Sequence, residues 1–110
     1  MINHQKIKKK LHNIVSMLVS RKYSDLKENG FLGNLKTKEV EEAINSYPGD
    51  MTLPTMKEFD QFHLYPYNTN SFYLEFNLFF NNKKSDLTLS LEGVQKNGNI
   101  ILKLQDIRVL

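Results

Sequence analysis

Cysteine is missing from all 110 residues. That excludes disulfides, thiolate zinc sites and a cysteine nucleophile, and it leaves the fold to be held by its apolar core. The absence fits a cytoplasmic protein. Long hydrophobic runs are missing too: nothing approaches the roughly 20 apolar residues of a membrane span, so no membrane partner is expected. Five glycines are scattered along the chain without forming a phosphate-cradling loop. Histidine is scarce, and His12 follows His4 by eight residues, with His63 far away. Metal ligands on one helix face would stand at i and i+4, so no metal site is expected. Ser71 and Ser85 lack a glycine elbow and a neighbouring histidine, which argues against a serine nucleophile. No cofactor motif remains, and the chain reads as a protein that is not an enzyme.

What is present suits a globular chain: hydrophobic residues make up 40% and charged ones 25%. The length supports one core and one domain over residues 1–110. The opening MINHQKIKKKLHNIVSMLVS places basic residues before an apolar segment, as a signal peptide would. His12, Asn13 and Ser16 interrupt that segment and no small-residue cleavage site follows, so it reads as an amphipathic helix of the mature protein. The net charge of +3 is unevenly spread. Residues 1–38 are strongly basic, whereas residues 39–60 set Lys57 against Glu39, Glu41, Glu42, Asp50, Glu58 and Asp60. A basic end and an acidic middle suggest a charge-guided partner.

The apolar period divides the chain. Ile7, Leu11, Ile14, Val15 and Leu18 recur at helical spacing and predict a helix over about 4–20. A short helix holding Tyr23 and Leu26 should stop near Gly30. Thr37 reads as the N-cap of a helix over 38–47, with Val40, Ala43, Ile44 and Tyr47 as its stripe and Pro48-Gly49 ending it. Residues 50–58 read as a loop anchored by Met51, Leu53, Pro54 and Met56. Beyond Phe59 the period becomes two. Phe62 and Leu64 begin a short strand limited by Pro66. Strands are predicted over 72–80, 86–93 and 100–109, joined by turns at NNKK and QKNGN. The parity change from Leu104 to Ile107 and Val109 predicts a β-bulge near Gln105-Asp106. The whole is an α+β fold, with N-terminal helices packed on one face of a curved antiparallel meander. Leu- and Phe-rich alternate positions should face the helices, leaving Tyr73, Glu75, Phe79 and Lys103 on the other face.

Clustered carboxylates could do acid–base work, but no separation or nucleophile is defined; a solvated face or a binding patch is the simpler reading. KIKKK at 6–10 sits on a helix whose other side is needed for the core, and no stacking aromatics lie near it, so nucleic acid is not the expected partner. NNKKSD reads first as a turn, with Asp86 folding back onto turn amides.

The segments LVSRKYSDL, LKTKEVEEAINSYPG, LPTMKEFDQFHLYP, SDLTLSLE and LQDIRVL follow one another in an order that resembles a small uncharacterised bacterial family. Some of its members look like immunity proteins of contact-dependent growth inhibition and related polymorphic toxin systems. The resemblance spans the chain from about residue 15, and SDLTL and the closing DI-x-VL are its most specific motifs. This sequence departs from the family just before SDLTL, where NNKK replaces an acidic, glycine- and arginine-containing turn. The order of helices before a meander also resembles the cystatin-type, nuclear-transport-factor-2-like fold. The resemblance implies a cytoplasmic immunity protein that binds a cognate toxin domain, a nuclease, in a one-to-one complex and blocks its active site. Glu39, Glu42, Glu58, Asp60, Tyr73 and Glu75 are the candidate contacts: the acids for steering, the aromatic for anchoring. The alternative is a small-molecule-binding or enzymatic domain of the same fold, using the concave side of the sheet with Tyr65, Tyr67, Tyr73 and Glu75.

Overall fold

The first apolar stripe forms a helix, α1 (His4–Val19), in the computed structural model, which describes residues 2–110. Asn3 caps it by accepting the Lys6 N–H at 3.1 Å. Ile7, Leu11, Ile14, Val15 and Leu18 are buried, as their spacing requires. The short α2 (Tyr23–Glu28) buries Tyr23 and Leu26. The third helix, α3 (Thr37–Asn45), differs from expectation at both ends. Lys36, not Thr37, holds the cap position with extended backbone (φ −88°, ψ 155°), and its N–H donates to Glu39 Oε1 at 2.9 Å. That is the reciprocal half of a capping box, so the acid three positions on decides where the helix begins. Tyr47 lies beyond the helix, with its ring 4.6 Å from that of Phe80 and its hydroxyl donating to Asp86 Oδ1 at 2.5 Å.

Five antiparallel strands follow: β1 (Met51–Thr52), β2 (His63–Pro66), β3 (Ser71–Phe80), β4 (Lys83–Lys96) and β5 (Asn99–Val109). The order is β1-β3-β4-β5, with β2 sharing the β1 edge of β3. Within the stretch expected to be loop, Met51 pairs with Phe80 and Pro54 is buried, but Leu53 and Met56 are 46% and 52% exposed and anchor nothing. Both hairpins close with two residues at positive φ: Asn81 (52°) and Asn82 (63°), then Asn97 (52°) and Gly98 (78°). These are type I′ turns, whose twist matches that of the strands.

Two bulges bend the sheet. One is at Gln105, where the β4 register passes from Leu91↔Leu104 to Ser90↔Asp106. There the segment after α2 covers the β5 edge: Leu104 N donates to Phe31 O at 2.7 Å and Gly33 N to Leu104 O at 2.9 Å. The other bulge sets Ser85, Asp86 and Leu87 against the single residue Leu78. Ser85 Oγ donates to Leu78 O at 2.7 Å and Asn77 Nδ2 to Ser85 O at 3.0 Å. NNKKSD is therefore a turn, a strand start and a bulge in succession. At this second bulge the alternation of β3 breaks down: Leu78, Phe79 and Phe80 are buried in succession, and Phe79, expected on the open face, is 5% exposed with its ring 6.5 Å from that of Phe76.

The helix-side face of the sheet carries Phe72, Leu74, Phe76, Leu89, Leu91, Leu102 and Leu104, none more than 1% exposed. α1 and α3 lie against β5 on this side. A short 3-10 turn (Glu58–Gln61) adds Phe59, stacked on Phe76 at 5.3 Å and 7°. Gly93 sits opposite Phe72 in the register, and a Cβ there would collide with the Phe72 ring and stand 2.8 Å from Leu102 Cδ2. The phenyl ring occupies the space that the glycine leaves. No helix among the described residues is long and apolar enough to cross a membrane.

Candidate functional site

Alternation puts the polar half of the strands on the face turned away from the helices. Cross-strand register then sets Tyr65 beside Tyr73, Tyr73 beside Glu92 and Glu92 beside Lys103, a row crossing four strands. Glu75 lies beside Tyr73 on the same face, opposite His63 and Ser90. Tyr67, just past β2, brings its ring to 4.7 Å from Tyr73 and donates its hydroxyl to Glu92 Oε2 at 2.8 Å. Tyr65 donates to Glu75 Oε1 at 3.3 Å. Each of the three rings is about half exposed: 50% for Tyr65, 49% for Tyr67 and 51% for Tyr73.

Two of these phenols, Tyr65 and Tyr67, are held above their ordinary pKa. Tyr67 is raised above its ordinary pKa chiefly by the hydrogen bond to Glu92, and Tyr65 by desolvation, with the Glu75 charge adding to it. Neither is poised as an acid or base near neutrality. Ring faces and carboxylates side by side are instead suited to holding cationic groups and presenting aromatic anchors. The face holds two shallow depressions. A depression of about 370 Å³ is lined by Tyr65, Tyr73, Glu75, Ser90 and Gln105, and one of about 210 Å³ by Tyr67, Glu92, Ile101 and Lys103.

The six candidate contacts fall on three separate elements. Tyr73 and Glu75 share the open face. Glu39 and Glu42 are exposed on α3, on the helix side of the sheet, and Glu39 is engaged as a capping acceptor. Glu58 closes a capping box of its own: Thr55 N donates to Glu58 Oε1 at 2.8 Å and Glu58 N to Thr55 Oγ1 at 3.2 Å. Asp60 pairs with Lys8 at 2.8 Å and ties the 3-10 turn to α1. Three of the four acids thus serve local structure, and they do not join the tyrosines in one patch. Glu92, absent from the sequence-based candidates, also belongs to the row of tyrosines. Its alternation with Leu91 marks it as outward-facing, but only the register places it against Tyr73. The tyrosines weighed for a ligand site on the concave side, Tyr65, Tyr67 and Tyr73, also lie on the open face, because core side chains fill the helix-covered one.

The remaining sequence features have local roles. His12 sets its ring edge-on to Phe59 at 5.2 Å, and His4 lies 5.7 Å from Phe62. Of the KIKKK lysines, Lys6 donates to the Gly98 carbonyl and Lys8 bridges to Asp60. Asp86 accepts from Tyr47 and is not folded onto the turn amides. Among the described residues no group of three His, Asp or Glu side chains is placed to hold a metal ion.

No curated protein and no solved structure gives a significant match to the chain. Residues 15–110 match the family described as Domain of unknown function (DUF7668), and the chain belongs to that family.

Proposed function

We propose that this DUF7668 member is a cytoplasmic immunity protein. It binds a cognate toxin domain, of the nuclease class, in a one-to-one complex and blocks the toxin's active site without chemistry of its own. The open sheet face is the observation that carries this reading. It holds three half-exposed tyrosines interleaved with Glu75 and Glu92 in a chain whose net charge is +3. Tyrosine lends large contact area with little rotamer entropy to lose, and carboxylates beside it match a basic surface such as a nuclease presents. The order of SDLTL and the terminal DI-x-VL among the other segments points the same way.

The test is binding to the toxin domain encoded beside the gene, followed by calorimetry and by protection of cells. Substitutions on the open face are informative, whereas reversing Glu58 or Asp60 would also break a capping box or the bridge to Lys8. Tyr73→Ala with Glu75→Lys should weaken the complex by roughly 30-fold or more, the loss of an aromatic anchor plus a repulsive charge. Wild-type affinity in that variant would place the interface elsewhere. If no neighbouring toxin domain binds the wild type, the immunity reading fails. Saturable binding of a metabolite in the 370 Å³ depression would then favour the small-molecule alternative.

A further inference from the structure

The two depressions on the open face differ in charge. The smaller, of about 210 Å³, is lined by Glu92 and Lys103, which stand opposite each other in the register, so its charges offset. The larger, of about 370 Å³, is lined by Tyr65, Tyr73, Glu75, Ser90 and Gln105, with one carboxylate and no cationic side chain. Tyr67 borders the smaller and Tyr73 the larger, and their rings lie 4.7 Å apart. The paired rings thus stand between the two hollows. Tyr73 is 51% exposed and directly opposite Tyr65 on β2, so both rings are open to a partner.

Glu75 supplies the charge of the larger hollow. The Tyr65 hydroxyl lies 3.3 Å from its Oε1, and both residues line the hollow, so this bond sets the carboxylate beside the phenol at one border. A carboxylate has about four acceptor sites, and one long bond leaves most of that capacity for another donor. Among the described residues Glu75 forms no ion pair: Lys8 bridges to Asp60, and Arg108 to Asp106. His63 stands opposite Glu75 on β2 but does not line the hollow. Ser90, opposite Glu75 on β4, adds a hydroxyl that can also accept.

We propose that the larger hollow receives an arginine side chain projected from the surface of the protein partner, an inference that rests on the open face being the protein-binding face. The guanidinium donates to the Glu75 carboxylate and lies against the Tyr73 ring. A guanidinium is planar, so it can stack on an aromatic face while its fork of N–H groups meets a carboxylate. An ammonium is a compact, strongly hydrated charge and gains less from such a site. An acidic side chain would meet repulsion from Glu75, and an apolar one would bury that carboxylate without a partner. The shallowness of the hollow favours a side chain over a free ligand. Small-molecule sites enclose most of their ligand, whereas an interface anchor has its water excluded by the contacts around it.

The test is an amide chemical-shift titration of the full chain with the capped tripeptide Gly-Arg-Gly and with its lysine and citrulline counterparts. Saturable shifts at Tyr65, Tyr73, Glu75 and Ser90 are expected with the arginine peptide, in the millimolar range that a single anchoring side chain supports. Citrulline keeps the planar shape without the charge and should bind about tenfold more weakly, and lysine about threefold more weakly. Glu75→Gln, which keeps an acceptor for Tyr65, should lower the affinity for the arginine peptide about tenfold at an unchanged melting temperature. Glu92→Gln should lower it less, since Lys103 already stands opposite that carboxylate. Equal losses in the two variants would show a general attraction to acidic groups and overturn the proposal. So would equal affinity for arginine and either counterpart, or no saturable shift at all. Binding of the neighbouring toxin domain is measured separately. A toxin that binds where the arginine peptide does not would overturn the arginine anchor alone. An arginine peptide that binds where no toxin does would support the anchor, for another basic partner, and end the immunity reading.

Discussion

Phe76 shows most directly how single side chains hold this molecule together. It is 1% exposed, stacked on Phe59 and within 6.5 Å of Phe79. Those partners come from a 3-10 turn and from beyond a bulge, so the surroundings cannot all collapse into a vacated site. Phe76→Ala should therefore cost about 3–5 kcal/mol, read from the urea midpoint at unchanged slope. The inward orientation of Phe76 was legible in the alternation of β3. The burial of Phe79 was not, because Leu78, Phe79 and Phe80 are buried in succession where the register shifts, and alternation expects one of them outside. Among charged residues the same division holds. That Glu39 stands near a helix start and that Glu58 and Asp60 are acidic is visible in the chain, but whether each is free for a partner depends on contacts such as Asp60 with Lys8.

Elements are positioned by their turns. Asn82 and Gly98 both occupy the second position of type I′ turns, at φ 63° and 78°. Asparagine tolerates that region and glycine prefers it, whereas β-branched residues are excluded from it. Asn82→Gly should stabilise the β3–β4 hairpin by a few tenths of a kcal/mol, and Asn82→Val should destabilise it by about 1–2 kcal/mol. Thermal melts of the two variants give the comparison, and equal melting temperatures would contradict the turn assignment. Asn97-Gly98 was readable as a hairpin, since that dipeptide signals the turn in itself. For NNKK the turn was readable, but not that β4 resumes at Lys83 and bulges at Ser85. That bulge is held by Ser85 Oγ on Leu78 O, a bond across the hairpin.

At the scale of the whole molecule the tyrosines link folding to pH. Tyr23, Tyr47, Tyr65 and Tyr67 are all raised above their ordinary value, by burial at Tyr23 and Tyr65 and by hydrogen bonds to carboxylates at Tyr47 and Tyr67. The folded state therefore keeps these protons when the unfolded chain, at about pH 10, begins to release them. Their contribution is fully present below that pH and is lost as pH rises through the higher folded values. Denaturant midpoints should fall on going from about pH 9 to about pH 11, and less steeply in Tyr67→Phe. An identical alkaline slope in that variant would remove Tyr67 from the account. The four phenols lie on both sides of the sheet, so the effect reports the whole fold and not one site.

The amino-acid chain by itself determined the α+β class, the stripe of α1, the strand alternation, the Asn97-Gly98 turn and the bulge near Gln105. All of these follow from periodicity or local backbone preference, which neighbouring residues express without help. The tertiary structure decided what distant residues do to one another. It placed Glu92 against Tyr73, took Asp60 into a bridge with Lys8, buried Phe79 and left the Tyr23 hydroxyl unpaired among the described residues. A local period tells which side of an element a residue occupies. Its opposite number is set by strand register, bulge position and helix docking, and those are fixed only when the separate apolar faces are buried together.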